Sequence, residues 1–584
     1  MGEISVRLGG QAGDGIASAG EVVARTFSRS GFHLFGLNAY QSVIRGGHVW
    51  FQARASDRRI YSQGDRCDIL YALDSPTVDI HVHELADGGT LVFDPEKFPV
   101  DGATLPAGVK TLPVPTLEIA RKYTNQSILQ NAAGLGATGW VAGLPLATLQ
   151  QVLRDSFGRK AGDVVDWNVR ACADGYAYAQ AHGVVSDRAM APTGEPKLLM
   201  TGNQAIALGA AAAGCKFLAQ YPMTPASSIM HWMAAHSHSL GIVVKQAEDE
   251  LAAIHMAIGA SFAGVRAMTA TSGGGFSLMA EALGMAGMTE TPLVVVLSQR
   301  SGPSTGLPTK TEQGDLNLML GAGQSEFPRA ILAPSQPSEA FRAAVRAFEL
   351  AERWQTPILL ASDLHLSENF STVERNEVDL DVDVPSLYTV EPNGGEYKRY
   401  LYTETGVSPR AIPGQAGLQF VAGSDEHDEL GHLISDVKSG VPVFVAERTK
   451  MMNKRMGKLV HMLHETDPPV VEGPPEADLT FIAWGSTVGA VRDARTMLDA
   501  RGLKTNLVYL PTVYPVWADR IRTVVGGAKR TLLVEGNYSG QLGRLLRAET
   551  GVDLATKLLK YDGEPFYPQE IVARAVEVLA DGGK

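Results

Sequence analysis

Four segments between residues 221 and 316 decide how the sequence is interpreted. They are YPMTPASS (residues 221–228), AEDELAAIHMAIGAS (247–261), TATSGGGFSLMAEALGMAGMTETPLVVVLSQR (269–300) and SGPSTGLPTKTEQGDL (301–316). Apolar strands in this stretch end in loops of Gly, Ser, Thr and Pro, and carboxylates lie among small apolar residues. An α/β sheet builds a ligand site at its strand ends from loops of this kind. We therefore predict an α/β fold with a ligand site in this stretch.

The same alternation of apolar strands and helix-length connections continues along the chain. It predicts a multidomain α/β protein in which parallel or mixed sheets are flanked by helices. At 584 residues the chain is too long for a single hydrophobic core. We predict four parts, residues 1–190, 196–370, a connecting subdomain at 371–475, and 476–584. The clearest boundary lies near residue 195, where GEPKLLM restarts the strand pattern.

Composition narrows the possible functional classes. The net charge of −12 argues against nonspecific nucleic-acid binding. Cys67, Cys172 and Cys215 are far apart and form no CxxC, so this chain cannot by itself supply a four-thiolate iron–sulfur cluster. We interpret them as buried thiols of a protein in the reducing cytoplasm. We find no signal peptide, no myristoylation pattern and no apolar stretch long enough to span a membrane.

The N-terminal part begins like a nucleotide-binding unit. A strand at residues 4–8 precedes the loop GGQAGDG (residues 9–15), and a helix pattern follows at 16–30. Backbone N–H groups of such a loop can face an anion. The spacing matches neither GxGxxG nor a Walker A loop, so a tight turn without a ligand remains an alternative. The candidate contacts are Gly9, Gly10, Gln11, Gly13, Asp14 and Gly15.

Two further polar features leave their roles open. Arg45 precedes a pair of glycines, which suits a phosphate or a carboxylate, but a surface ion pair is equally plausible. The acidic segment GSDEHDELGH (residues 423–432) could ligate a metal or form a solvated loop, and we assign it no site.

Glu250 is the main catalytic candidate. It begins a helix pattern whose sheet-facing residues are Ala, Ile, Met and Gly. Loss of hydration there would raise the pKa of the carboxyl and suit it to sharing a proton. Glu248 and Asp249 are rival positions, and an exposed acidic run at a helix N-terminus is the plain alternative. His255 is better explained as a packed helix residue than as a catalyst.

Three residues are candidates for holding a substrate. Thr224 lies in a loop fixed by two prolines, so its hydroxyl is held in place. Arg300 ends an apolar strand and could bind a carboxylate with two hydrogen bonds. Lys310 is a second cation in the following loop, although Glu312 or Asp315 could pair with either cation.

Together, YPMTPASS, DELAAIHMAIGAS, TSGGGFSLMAEALG and SGPSTGLPTKTEQGDL resemble the α subunit of 2-oxoacid:ferredoxin oxidoreductases. The region of GGQAGDG resembles the γ subunit of that family, here fused ahead of α. LVEGNYSGQLGRLLR and GEPFYPQEI resemble its transketolase-type C-terminal domain. The resemblance implies a γ-type domain at 1–190, a thiamine pyrimidine-binding domain at 196–370 and a transketolase C-terminal-like domain at 476–584. This fusion is most similar to 2-oxoglutarate-type members.

The resemblance also implies a reaction and its participants. Thiamine diphosphate would be shared with a β subunit that carries Mg²⁺ and a [4Fe–4S] cluster, in an (αβ)2 assembly that reduces ferredoxin and uses CoA. Glu250 would contact the aminopyrimidine ring of thiamine, and Thr224 and Arg300 would hold the oxoacid. The further implied contacts to thiamine are Tyr221, Pro222, Ser272 and Gly273, and GGQAGDG would contact CoA.

The substrate and the direction of reaction stay open at this point. The expected reaction converts 2-oxoglutarate to succinyl-CoA, or carboxylates succinyl-CoA in reverse as in a reductive tricarboxylic acid cycle. Members that use pyruvate, branched-chain oxoacids or arylpyruvate are alternatives, because the substrate tail is selected by pocket shape. A non-catalytic scaffold that binds CoA or a nucleotide is an alternative of a different class.

Overall fold

The computed structural model describes residues 2–41, 46–124, 129–158, 163–382, 390 and 395–580. The chain forms two compact units. The first contains Met1–Thr201, Asn369–Glu377 and Tyr567–Glu570, and the second contains Gly202–Glu368, Val378–Phe566 and Ile571–Lys584.

The strands of the described residues, in chain order, are as follows. They are β1 (Glu3–Gln11), β2 (His33–Ala39), β3 (His48–Ser56), β4 (Cys67–Ala72), β5 (Leu85–Phe93), β6 (Lys110–Pro113), β7 (Leu198–Thr201), β8 (Phe217–Gln220), β9 (Val243–Gln246), β10 (Ala267–Thr271), β11 (Leu293–Gln299), β12 (Ala330–Leu332), β13 (Pro357–Asp363), β14 (Phe370–Val373), β15 (Val470–Glu472), β16 (Leu479–Ala483), β17 (Thr505–Tyr509), β18 (Thr512–Tyr514), β19 (Thr531–Glu535) and β20 (Lys557–Leu559).

The α-helices of the same residues begin and end as follows. They are α1 (Ile16–Arg29), α2 (Ser75–His81), α3 (Thr116–Arg121), α4 (Gln130–Val141), α5 (Leu146–Phe157), α6 (Val164–His182), α7 (Gly202–Ala212), α8 (Ser227–Leu240), α9 (Glu250–Phe262), α10 (Gly273–Met288), α11 (Leu316–Gly321), α12 (Pro337–Trp354), α13 (Leu364–Glu368), α14 (Asp436–Ser439), α15 (Val441–Leu463), α16 (Thr487–Asp499), α17 (Ala518–Val524), α18 (Gln541–Thr550) and α19 (Pro568–Ala580).

The first unit is built on a mixed sheet with the strand order β6-β5-β4-β1-β3-β2-β14-β7. The central strand β1 is parallel to β4 and antiparallel to β3. Ile4, Val6 and Leu8 are fully buried on one face of β1, and Ser5 and Arg7 on the other face are buried as well, as expected for a central strand. Helix α1 then covers the sheet with an amphipathic face.

The predicted second part of the chain begins at residue 196 and therefore includes the strand LLMT, which is β7. We predicted that GEPKLLM restarts the pattern there, but β7 pairs antiparallel with β14 in the sheet of the first unit. The prediction is therefore wrong for this strand, and the boundary between compact units follows Thr201. The local pattern could not show this, because the partner strand lies about 170 residues later in the chain.

The second unit contains two sheets of predominantly parallel strands. The larger has the order β18-β12-β13-β11-β10-β8-β9, and the smaller has the order β15-β17-β16-β19-β20. The carboxyl ends of β8, β9, β10 and β11 lie at one edge, because these four neighbours are all parallel. This edge carries the loops that the sequence analysis selected.

Residues 476–584 do not form a unit of their own. Strand β18 leaves this part of the chain and pairs antiparallel with β12 at the edge of the larger sheet. A single hydrophobic core also joins side chains from both sheets, among them Leu297, Leu359, Ile482 and Leu533. The α/β class and the mixed sheets are confirmed, whereas residues 202–368, 378–566 and 571–584 share one compact unit.

Candidate functional site

Helix α9 places one of three consecutive acidic residues in the interior. Asp249 precedes the helix, and its side chain accepts a hydrogen bond of 2.7 Å from the amide of Ala252. This is an N-cap contact, which fixes where the helix begins. Glu250 is the first helical residue and only 4% exposed, whereas Glu248 is exposed. The two rival carboxylates are therefore a helix cap and a surface residue.

The carboxyl group of Glu250 lies against the glycines that begin α10. A β-carbon built on Gly275 would be 2.5 Å from Oε1 of Glu250 and 2.1 Å from Oγ1 of Thr271. Among the described residues, Oε1 of Glu250 has no hydrogen-bond partner. Burial raises the pKa of this carboxyl, the helix amide partly offsets that effect, and Asp249 raises it further.

The start of α10 forms the second wall of this region. Ser272 precedes the helix, is fully buried, and its hydroxyl has no partner among the described residues. The carboxylate of Asp315 lies beside Gly273, where a β-carbon would be 2.5 Å from Oδ2. Burial raises the pKa of Asp315 to about 6, although Arg300 lowers it. Unpaired polar groups and helix amides therefore meet at one place.

The loop at residues 221–228 is held from two sides. Gln220 donates a hydrogen bond of 2.9 Å to the carbonyl of Ala226, and Asn203 donates one of 2.7 Å to the carbonyl of Pro225. Tyr221 and Pro222 lie at the start of this loop, and Tyr221 is 37% exposed. The loop backbone is therefore fixed, as the prolines predicted.

Arg300 and Thr224 come together although they are 76 residues apart in sequence. Nη1 of Arg300 donates a hydrogen bond of 2.8 Å to the carbonyl of Thr224. Arg300 follows the last residue of β11, and burial lowers the pKa of its guanidinium while Asp315 raises it. The structure thus joins two of the three residues that we selected for the substrate.

Lys310 has a different partner from either one that the sequence suggested. Its ammonium forms an ion pair with Glu564, and not with Glu312 or Asp315. The loop that carries Lys310 is also tied at Thr311, whose amide donates to the carbonyl of Gly563. We therefore give Lys310 a role in anchoring this loop, and its predicted contact with substrate gains no support from the geometry.

The N-terminal glycine loop is shorter than predicted. Gly9, Gly10 and Gln11 belong to β1 and pair with Trp50, Val49 and His48 of β3. Only residues 12–15 turn, and the amides of Gln11, Ala12 and Asp14 are bonded to Asp14, Gly47 and Gln11, respectively. Since these three amides are already bonded to other protein atoms, the structure does not support a simple phosphate cradle here.

Two glycines of that turn nevertheless have backbone conformations that favour glycine over other residues. Gly13 and Gly15 have φ angles of 107° and 79°, which side chains rarely adopt. A β-carbon on Gly13 would have no neighbour within 4 Å among the described residues. Arg45, the other predicted anion contact in this part of the chain, lies outside the described residues.

A hydrogen-bonded group that no sequence pattern predicted lies beneath the 221–228 loop. The hydroxyl of Ser228 donates to Glu368 at 2.9 Å, and Asn203 lies 3.4 Å from the same oxygen while holding the loop carbonyl. Burial raises the pKa of Glu368 to about 7, although Ser228 and Asn203 lower it. No local signal in the sequence marks Glu368. Ala226 precedes α8 and makes no side-chain cap.

The remaining chemical candidates are structural. Cys67, Cys172 and Cys215 are buried, as predicted, and burial raises the pKa of their thiols to between about 11 and about 12. In the acidic segment, Glu426 pairs with two arginines and Glu429 with Lys398. Across the described parts of the chain, no group of three metal-ligating side chains is positioned to hold an ion. In the same residues no helix combines the length and apolar character needed to cross a bilayer.

Comparison with known proteins identifies the family. The chain is 33% identical to the 2-oxoacid:ferredoxin oxidoreductase subunit alpha of Sulfolobus sp, over 99% of this chain and 97% of the relative. It belongs to the 2-oxoacid:ferredoxin oxidoreductase α subunits. It is also 31% identical to the 2-oxoglutarate oxidoreductase subunit KorA of Mycobacterium tuberculosis, over 97% of this chain and 90% of that one.

A solved structure of this oxidoreductase family matches across the whole chain. It is a 2-oxoglutarate:ferredoxin oxidoreductase from Magnetococcus marinus with 2-oxoglutarate, coenzyme A and succinyl-CoA bound. The identity is 35%, the TM-score is 0.91, and the match covers 99% of this chain and 100% of the other. The family resemblance and the assignment as an oxidoreductase subunit are therefore confirmed.

Three family models place the parts of this oxidoreductase subunit. Residues 5–178 match "Pyruvate ferredoxin/flavodoxin oxidoreductase". Residues 208–442 match "Pyruvate flavodoxin/ferredoxin oxidoreductase, thiamine diP-bdg", and residues 470–551 match "Transketolase, C-terminal domain". Glu250, Ser272, Gly275 and Arg300 all fall inside the thiamine-binding match.

Proposed function

We propose that this chain is the α subunit of a thiamine- and CoA-dependent 2-oxoglutarate:ferredoxin oxidoreductase. It would form succinyl-CoA and CO₂ from 2-oxoglutarate, or run the reductive carboxylation in reverse. One observation carries the proposal: the buried carboxyl of Glu250, whose Oε1 has no hydrogen-bond partner among the described residues, lies at the same sheet edge as the Arg300–Thr224 pair. A proton-sharing group and a carboxylate-binding group are what decarboxylation of a 2-oxoacid requires.

The residues around Glu250 fit the polar ring of thiamine. When bound, thiamine diphosphate supplies the nucleophilic carbon and the electron sink for decarboxylation. Oε1 of Glu250 and the hydroxyl of Ser272 are buried without partners in the described residues, so each is free to bond a ring atom. Burial raises the pKa of Glu250, which favours the protonated form of its carboxyl and suits it to sharing a proton with a ring nitrogen. Gly275 allows the carboxyl this close approach.

Arg300 and Thr224 would bind the oxoacid. The bond from Nη1 of Arg300 to the carbonyl of Thr224 aims the guanidinium and leaves its other N–H groups for a carboxylate. Because Arg300 is half-buried at a strand end, its attraction for an anion is stronger than at an open surface. Tyr221, Pro222 and Gly273 complete the proposed wall around the cofactor and substrate.

The rest of the assembly follows from what this chain lacks. Its three cysteines are buried and distant in sequence, so we assign the [4Fe–4S] cluster and Mg²⁺ to a β subunit. We infer an (αβ)2 enzyme that passes electrons to ferredoxin in the cytoplasm. The turn at residues 12–15 is the proposed CoA contact of the first unit, because no described residue lies within 4 Å of a β-carbon built on Gly13.

The choice of 2-oxoglutarate is supported by relatives whose names include this substrate, among them the two described above. A pyruvate, branched-chain or arylpyruvate member is the alternative, and membership of an enzyme family disfavours the non-catalytic scaffold. The test is a substrate panel for viologen reduction by the chain co-expressed with its β subunit. We expect 2-oxoglutarate to give the highest kcat/KM, and Arg300→Ala to raise KM for the oxoacid about 10- to 100-fold. A higher kcat/KM for pyruvate would reject the substrate assignment, and an unchanged KM would reject Arg300.

A further inference from the structure

A cavity of about 450 Å³ lies in the second unit beside the first turns of α12. Strand β15, helix α16 and the C-terminal end of β17 line its other sides. Pockets that bind small molecules typically have volumes of about 300–1,000 Å³. The cavity shares no residue with the proposed contacts to thiamine, the oxoacid or CoA, so a ligand bound here is additional to those three.

A buried ion-pair network forms one wall of this cavity. Nη2 of Arg492 lies 2.6 Å from Oε1 of Glu472 and 3.2 Å from Oε1 of Glu339. The other carboxylate oxygen of Glu339 accepts a hydrogen bond of 2.8 Å from the hydroxyl of Tyr509. Although burial raises the pKa of Glu339, the adjacent guanidinium and hydroxyl groups hold it below its usual value. The network therefore stays charged and holds this wall in place.

The network is electrically balanced and adds no net charge to the cavity. Its two carboxylates, Glu339 and Glu472, face two guanidinium groups, because Arg495 also lies 4.0 Å from Glu472. Each of these side chains thus has a partner of opposite charge within the protein. The charged groups of a ligand must therefore be bound by other residues of the lining.

Two exposed residues of opposite charge also line the cavity, Arg342 on α12 and Asp467 in the segment before β15. Among the described residues, neither side chain forms a hydrogen bond or an ion pair, and the two are not paired with one another. Arg342 follows Glu339 by three residues, which places both on the face of α12 that borders the cavity. A cation and a carboxylate, each without a partner in the described part of the chain, thus line the same space.

Most of the remaining lining is apolar. It consists mainly of Leu332, Pro334, Pro468, Pro469, Val470 and Pro511. Proline side chains are rigid, so they lose almost no conformational entropy when another group packs against them. The cavity therefore offers a rigid apolar surface beside two opposite charges.

We propose that this cavity binds a free α-amino acid with an apolar side chain. The carboxylate of the amino acid pairs with Arg342, its ammonium pairs with Asp467, and its side chain packs against the prolines. A ligand with only an anionic group would leave Asp467 unpaired, and one with only a cationic group would leave Arg342 unpaired. A zwitterion satisfies both residues, and the apolar lining selects its side chain.

The experiment measures binding to the full chain in complex with its β subunit. Isothermal titration calorimetry uses L-leucine, L-methionine and L-phenylalanine as probes. Two analogues of phenylalanine, 3-phenylpropionate and phenethylamine, lack the ammonium and the carboxylate, respectively. We expect saturable binding of at least one amino acid with a Kd below about 1 mM, and binding of each analogue at least about tenfold weaker than that of phenylalanine.

Variants of the lining test where the amino acid binds. Arg342→Gln and Asp467→Asn should each raise Kd about tenfold, as expected for the loss of one charge-assisted hydrogen bond. Ala343→Leu places a larger side chain in the cavity and should abolish binding. Arg501→Gln is the matched control, because Arg501 is exposed and does not line the cavity, and it should leave Kd unchanged.

Three results would overturn the proposal. The first is the absence of saturable binding for all three amino acids up to about 10 mM. The second is an unchanged Kd in folded Arg342→Gln and Asp467→Asn, which would place binding elsewhere. The third is equal affinity for 3-phenylpropionate and phenylalanine, since the ammonium would then have no partner. Calorimetry without oxoacid measures binding without turnover, so each of these results is independent of the proposed decarboxylation.

Discussion

The side chain of Glu250 occupies the space that a β-carbon on Gly275 would need. Oε1 of Glu250 would lie 2.5 Å from such a carbon and Cγ would lie 2.6 Å from it. Separations below 3.0 Å do not occur for real β-carbons, so the absence of a side chain at residue 275 lets the carboxyl reach the start of α10. The catalytic candidate and the glycine-rich segment therefore depend on each other.

This dependence gives a prediction for Gly275→Ala. The added methyl group must displace Glu250 or Thr271, and we expect a loss of about 1–3 kcal/mol in stability and at least tenfold in kcat. Thermal unfolding and viologen reduction measure the two effects. Gly259→Ala, on the exposed side of α9, is the matched control, because a β-carbon there meets no neighbour within 4 Å of the described structure. A fully active Gly275→Ala enzyme would show that the carboxyl does not need this space.

The raised pKa of Glu250 predicts a pH-dependent difference in stability. A carboxyl whose pKa is higher in the folded than in the unfolded state contributes stability at pH values below its ordinary pKa of 4.5. That contribution is lost as the pH rises through the pKa of the folded state. Glutamine cannot ionise. We expect Glu250→Gln to gain stability relative to the wild type between pH 4 and pH 8, measured by denaturant unfolding. The exposed Glu248→Gln should show no such trend, and a flat difference for Glu250→Gln would contradict burial of the charge.

The raised pKa of Glu368 predicts that kcat/KM for the oxoacid depends on pH. Its pKa near 7 means that the carboxylate bonds to Ser228 and Asn203 weaken as pH falls below neutrality. Because Asn203 holds the loop that carries Thr224, we expect kcat/KM for the oxoacid to fall with protonation in the wild type. In Glu368→Gln that transition near pH 7 should disappear from the profile measured between pH 6 and 8. An identical transition in the variant would assign the titration to another group.

A stability prediction concerns the fully buried Glu290. Its carboxylate pairs with Lys454 and Lys458, and both ammonium groups are at most 1% exposed. Although burial raises the pKa of Glu290, the two lysines and Arg399 hold it well below the usual value. Glu290→Gln leaves two buried cations without a counter-charge, which we expect to cost about 3–5 kcal/mol in unfolding experiments.

The matched control for Glu290 is Glu577→Gln. Glu577 pairs with Arg574 on the exposed face of α19, and a surface pair contributes less than about 1 kcal/mol. Equal losses of unfolding free energy in the two variants would show that burial does not increase the stabilisation that Glu290 and its lysines provide.

The sequence predicted those elements whose ends are determined by residues close by in the chain. Helix α9 begins at Glu250 as expected, because the adjacent Asp249 caps it. Strand β1 was predicted at residues 4–8 but extends over Glu3–Gln11, since pairing with β3 continues through the glycines. The predicted inward face of α9 was partly wrong. Met256 is 37% exposed and Gly259 is exposed, while Ala253, Ile254 and Ala257 are buried.

The wrong predictions concern strands and side chains whose partners lie far away in the sequence. Strand β7 pairs with β14, and β18 pairs with β12, although each partner lies more than 150 residues away. Lys310 likewise finds Glu564, a partner 254 residues further along the chain. Side-chain periodicity cannot encode such pairings, because it reports only which face of an element is buried.

The most direct test of the account is the activity and cofactor content of Glu250→Gln. The chain is co-expressed with its β subunit, and the thiamine diphosphate bound per complex is measured together with CoA-dependent viologen reduction on 2-oxoglutarate. We expect Glu250→Gln to remain folded and lose at least about 100-fold in kcat, as expected on removal of a proton-sharing group, while Glu248→Gln stays active. Near-normal turnover by Glu250→Gln would contradict the assignment of the buried carboxyl as the catalytic group.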